Sequence, residues 1–109
     1  MTLTDYQVRA SRTAVYPHRG HNIEYTVLGL CGEVGEIANQ VKKISRDDDD
    51  VITEKRRMAL KKELDVLWYV AATALAELNL GLDGIAEMNL DKLASREDRG
   101  QLTGDGDNR

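Results

Sequence analysis

Two glutamates three residues apart, Glu33 and Glu36 in GLCGEVGEIANQVKK (residues 29–43), are the first side chains here whose type and spacing could do chemistry. On a helix, residues i and i+3 lie about 60° apart and about 4.5 Å along the axis, so both carboxylates can aim at a common point. Such a pair suits magnesium, which takes carboxylate and water oxygens in octahedral geometry. Alone the signal is weak, because such a pair is far more often the solvent side of a helix; a second acidic pair on a facing helix is needed to change that reading. KKELDVLWYV supplies Glu63 and Asp65, with 26 residues between Glu36 and Glu63, enough to finish one helix, turn and return antiparallel. The second pair is irregular. Only Leu64 separates its members, and residues i and i+2 point about 200° apart on a regular helix, so both face one metal only through a local tightening or bulge.

The elements that must position these acids read as helical nearly throughout. A first helix is predicted from about Leu3 to Tyr16, ended by Pro17 and PHRGHN. Asn22 is a suitable N-cap for a second helix over about Ile23 to Ile44, with Ile23, Val27, Leu30, Val34, Ile37 and Val41 on one stripe. After SRDDDD, Thr53 can cap a third helix reaching about Leu80, with Gly81 at its C-terminal end and Asp83 capping a fourth to about Arg96. Residues 1–100 read as one domain and 101–109 as a flexible tail. VLWYVAATALAELNL is apolar on more than one face, and four short helices do not cover it, so a homo-oligomer is expected.

Composition bounds the function. The chain has 109 residues, 15 basic and 19 acidic, with a net charge of −4. This opposes a sequence-independent grip on polymeric nucleic acid, which needs a basic face, but not a small phosphorylated ligand. No signal peptide and no membrane-length apolar run is evident, so a cytoplasmic location without membrane attachment is expected. The single cysteine, Cys31, reads as a buried structural thiol, and Trp68 as core. His18 and His21 read as exposed loop residues, and Asp47–Asp50 as a solvated charge run.

Three stretches together, GLCGEVGEIANQVKK, ELDVLWYVA and NLDKLASREDRG, resemble the MazG-like all-α nucleoside triphosphate pyrophosphohydrolases over about residues 23 to 100. The GDGDNR ending is similar to that of one small branch. The resemblance implies a four-to-five-helix bundle that completes its core as a homodimer or homotetramer. It implies hydrolysis of a nucleoside triphosphate to monophosphate and pyrophosphate by metal-activated water attacking the α-phosphate, with Mg²⁺ as cofactor and Mn²⁺ as a substitute. Glu33 and Glu36 match the family's Glu-x-x-Glu pair, and either is then a candidate catalytic base. The implied metal set adds Glu63 and Asp65 but departs from the usual Glu-x-x-Asp; DVLWY matches without a gap, which makes Asp65 the safer transfer. Lys43, beside Lys42, and Tyr69, four residues after Asp65, are candidate phosphate contacts. Asn89 and Lys92 resemble nucleotide-contacting positions, with Arg96 extending their row.

Base preference is not legible; a purine nucleotide, (d)GTP, is the working expectation. Cleavage of dUTP or of a phosphoribosyl nucleotide is the alternative within enzymes. A non-catalytic helical oligomerisation module, with the acids as surface charges, is the alternative outside them.

Overall fold

Side-chain caps set where the helices of this protein begin, in a computed structural model that describes all 109 residues. Thr2 opens α1 (Leu3–Ser11) with a capping box to Asp5. Asn22 opens α2 (Ile23–Asp47) by accepting from the Tyr25 N–H at 3.1 Å. Thr53 opens α3 (Glu54–Glu77), accepting from Arg56 N–H at 3.2 Å. α4 (Leu82–Asp98) starts at Gly81 without a side-chain cap. There are no strands, and the all-α expectation holds.

Several boundaries differ from those read in the sequence. α1 stops at Ser11, well short of Tyr16. Ser11 and Thr13 hydroxyls bond back to the Val8 and Ala10 carbonyls at 2.7 and 2.8 Å, side chains competing for the helix's own acceptors. α3 ends at Glu77, because Asn79 takes the left-handed conformation (φ 56°) that closes a helix, two residues before Gly81. Gly81 therefore starts α4 instead of ending α3, and Asp83 falls inside the first turn of α4.

α2 and α3 form the antiparallel pair that carries the acidic residues. A Cβ on Gly29 would lie 3.4 Å from Val70 Cγ1, so glycine there lets the helices approach closely. Farther along, Arg56 Nη1 reaches Gln40 Oε1 at 3.2 Å, and its Nε pairs with Asp48 at 2.7 Å. Half of the aspartate run is thus ion-paired: Asp48 with Arg56, and Asp47 with Arg46 at 2.7 Å. α1 joins the other elements through Gln7. Its amide donates to the Ala72 and Leu80 carbonyls at 3.2 and 3.1 Å and accepts from the Leu82 N–H at 3.0 Å. α4 packs against α1.

The protomer has almost no closed core. Ala14, Thr26, Ile44, Ala72, Leu82 and Arg96 are its 6 buried residues. The apolar stripe predicted for α2 splits: Leu30 and Ile37 are half-buried, whereas Val27, Val34 and Val41, seven residues apart, are exposed. Cys31 is exposed, not buried, because it lies on a face of α2 that no helix covers. Trp68 is 44% exposed and rests against Tyr6, with ring centroids 5.8 Å apart, so it is not a closed-core residue either.

Candidate active site

Glu33 lies in the half-buried row of α2 with Leu30, Ile37 and Gln40, while Glu36 is exposed beside it. Across the helix pair, Gly29 against Val70 and Gln40 near Arg56 fix an antiparallel register that brings Glu63 opposite these two acids. The electrostatics agree. Burial first, then the charges of Glu63 and Glu36, push the Glu33 carboxyl above the ordinary carboxylate range.

Asp65 is on another side of α3. It is exposed, and after burial its charge is the main influence raising the Tyr6 hydroxyl on α1. The helix stays regular through residues 63–65, so the one-residue spacing sends the two acids in different directions.

Beside Glu33 opens a cleft of ≈ 580 Å³, within the range of small-molecule sites. The loop after α1 contributes Thr13, Val15 and Tyr16; α2 contributes Tyr25, Leu28 and Glu33; α3 contributes Tyr69 and Thr73. Tyr16 and Tyr25 stack nearly parallel (centroids 5.0 Å, 8°), giving one wall a flat aromatic surface. Thr13 Oγ1 lies 3.1 Å from the Tyr69 hydroxyl.

One acid holds this wall in place, and sequence reading did not single it out. Glu77, at the end of α3, accepts from the Tyr16 hydroxyl, from Gly20 N–H at 2.8 Å and from Asn22 N–H at 3.0 Å. These bonds, the Tyr16 bond foremost, lower the Glu77 carboxyl, while burial and Glu77 push the Tyr16 hydroxyl up to about 12. The carboxylate thereby fastens the residue 17–22 loop to α3. Its signal in the sequence was a lone acid in the apolar run ALAELNL. His18 and His21 are exposed in that loop, as expected.

The remaining sequence candidates are not gathered around Glu33. Lys43 is half-buried two turns beyond Glu36 on α2, and Lys42 is exposed. Asn89 and Lys92 are on α4; Asn89 is exposed, and Lys92 Nζ donates to Asp107 Oδ1 at 3.0 Å. Arg96, one turn farther, is buried and bonded to the same aspartate.

Glu33, Glu36 and Glu63 supply only oxygen donors, a hard set suited to Mg²⁺ or Mn²⁺ rather than to softer metals. Their side chains do not converge: no three acidic, histidine or cysteine groups are close enough to hold a metal ion as they stand. The fit lies in the donor type and in the register that sets Glu63 opposite Glu33 and Glu36.

Two facing helices set opposed glutamates beside a cleft in an all-α protein. The family model for the MazG nucleotide pyrophosphohydrolase domain matches residues 21–100, and the chain belongs to that family. It is also 51% identical over 110 residues to the Gene 37 protein of Mycobacterium phage L5, covering 95% of this chain and 96% of that one. No solved structure matches it.

Proposed function

We propose that this protein is a divalent-metal-dependent nucleotide pyrophosphohydrolase that converts a (d)NTP to the monophosphate and pyrophosphate. The observation that carries this reading is the half-buried Glu33, opposed by Glu63 and Glu36, at the edge of the aromatic-walled cleft. Family membership supports the same reaction class.

Glu33, Glu36 and Glu63 would hold the cation, Mg²⁺ with Mn²⁺ able to substitute. When bound, it neutralises phosphate charge and acidifies a water. Of the two acids on α3, the geometry favours Glu63, because Asp65 points to the side of Tyr6. One of Glu33 and Glu36 acts as general base, taking a proton from the attacking water. The base enters the cleft against Tyr16 and Tyr25, Tyr69 meets a phosphate oxygen, and Lys43 balances charge on the polyphosphate. Lys92, away from Glu33 within the protomer, does so at a site completed by a second protomer. Asn89 contacts the nucleotide.

The working protein is a homo-oligomer in this reading, a dimer or a tetramer. The protomer exposes 8022 Å², against about 6,100 Å² expected of a folded monomer of its mass. Its radius of gyration is 16.9 Å, where about 13 Å is expected. The excess is more than the roughly 800 Å² that each partner buries in a standard interface. No helix is long and apolar enough to cross a membrane.

The test is incubation with each NTP and dNTP, dUTP and a phosphoribosyl nucleotide included, in Mg²⁺, Mn²⁺ or EDTA, with products resolved by ion exchange. Monophosphate plus pyrophosphate, lost in EDTA and in Glu36→Gln, is expected, with (d)GTP the first substrate to try. Diphosphate plus orthophosphate would overturn the assigned bond. No turnover of any nucleotide would favour the non-catalytic module, for which the unconverged carboxylates speak.

A further inference from the structure

The segment after α4, read from composition as a mobile tail, turns back onto that helix. Gly104 and Gly106 take left-handed backbone conformations (φ 124° and 84°) that permit the turn. The Arg109 side chain closes it by donating to the Gly106 and Leu102 carbonyls at 2.7 and 3.3 Å. The fold delivers Asp107 to Lys92 and Arg96. Its Oδ1 accepts from Lys92 Nζ at 3.0 Å and from Arg96 Nη2 at 3.2 Å, and its backbone carbonyl accepts from the same Nη2 at 2.5 Å.

This is a carboxylate seated on a cation pair of the kind that binds phosphoryl oxygens. Arg96 is only 6% exposed, and its Nε–H is buried without a partner, as is that of Arg109. A buried guanidinium N–H costs free energy until an acceptor reaches it. Asp107 leaves it unsatisfied, whereas a phosphoryl group brings more oxygens and suits the planar guanidinium fork. The Asp107 side chain is itself 76% exposed, so a competing anion can approach the contact from solvent.

We propose that residues 100–109 are an autoinhibitory latch in which Asp107 occupies the place of a phosphoryl group on Lys92 and Arg96, and that polyphosphate binding displaces it. The proposal rests on the reading of Lys92 as a triphosphate contact. It gives the tail a defined role: raising the substrate concentration at which the site fills, without entering the chemistry at Glu33.

The test is binding of inorganic tripolyphosphate to the full-length protein by calorimetry, which needs no turnover. Asp107→Asn keeps the shape and removes the charge, and it should tighten Kd by about 3- to 10-fold, the worth of a largely exposed charge contact. Asp105→Asn, on the same segment, should match the wild type. Lys92→Ala should weaken binding and abolish the difference that Asp107→Asn makes. An unchanged or weaker Kd in Asp107→Asn overturns the latch, as does a Kd indifferent to Lys92 or no binding by any variant. Hydrolysis is scored separately, by monophosphate release from the wild type, so failure of the latch and failure of the proposed reaction are distinguishable.

Discussion

Glu63 and Asp65 are separated by one residue in the chain and by nearly half the circumference of α3 in space. That divergence assigns them different expected effects. Glu33→Gln and Glu63→Gln each remove a carboxylate from the opposed set and are expected to lower kcat/KM for nucleotide hydrolysis by about 100-fold or more. Asp65→Asn is expected to cost less than about 10-fold. Steady-state assays of monophosphate release check the order; an Asp65 variant as damaged as the Glu63 variant would mean that the α3 acids rearrange around the ligand. At this scale the sequence pointed to Glu33 with Glu36 and favoured Asp65 over Glu63, whereas the structure sets Glu63, not Asp65, opposite Glu33. Ranking needs the rotation of α3 about its axis, and that is set by contacts such as Val70 on Gly29, distant in the chain.

Between elements, Glu77 is where three segments meet: the end of α3, the loop after α1, and the first residues of α2. Glu77→Ala leaves the Gly20 and Asn22 N–H groups and the Tyr16 hydroxyl without their acceptor, and is expected to lower Tm by several degrees. It should also raise KM more than it lowers kcat, since the Tyr16–Tyr25 wall is loosened while Glu33 is untouched. Thermal melts and a nucleotide titration read both effects.

The same contact makes stability depend on pH in two windows. The folded-state Glu77 pKa is depressed, so its contribution is complete above the ordinary carboxylate pKa and is lost as pH falls through the lowered value. The Tyr16 pKa is raised from 10.0 to about 12, so its contribution is complete below pH 10 and is lost as pH rises towards 12. Melts across pH should therefore fall at both ends in the wild type, and Tyr16→Phe should flatten the alkaline fall. At the helix ends, Thr53→Ala removes the α3 N-cap and is expected to cost about 1 kcal/mol in denaturant unfolding.

For the whole molecule, the exposed row Val27, Val34 and Val41 repeats every seven residues, the spacing of a seam that meets another helix. With 6 of 109 residues buried, a solitary protomer has little to offset its chain entropy. Sedimentation is expected to give a multiple of 12.2 kDa, and Val34→Glu, which places a charge in that seam, to shift the protein towards the monomer and lower Tm by more than 5 °C. A wild-type mass of one protomer would leave the exposed valines without a role in assembly.

What the sequence determined by itself was local. Capping side chains, helical periodicity and acid spacing depend on neighbours within about four residues, and they placed α2 and α3, their N-caps Asn22 and Thr53, and the Glu33–Glu36 pair. Tertiary structure decided which face of each helix meets another. Four of the six residues of the α2 stripe stayed exposed, Cys31 came to the surface, Glu63 met Glu33 while Asp65 turned away, and Asp107 returned to Lys92. Those outcomes follow from contacts between residues far apart in the chain, and a single helix's periodicity carries no information about the partner it will face.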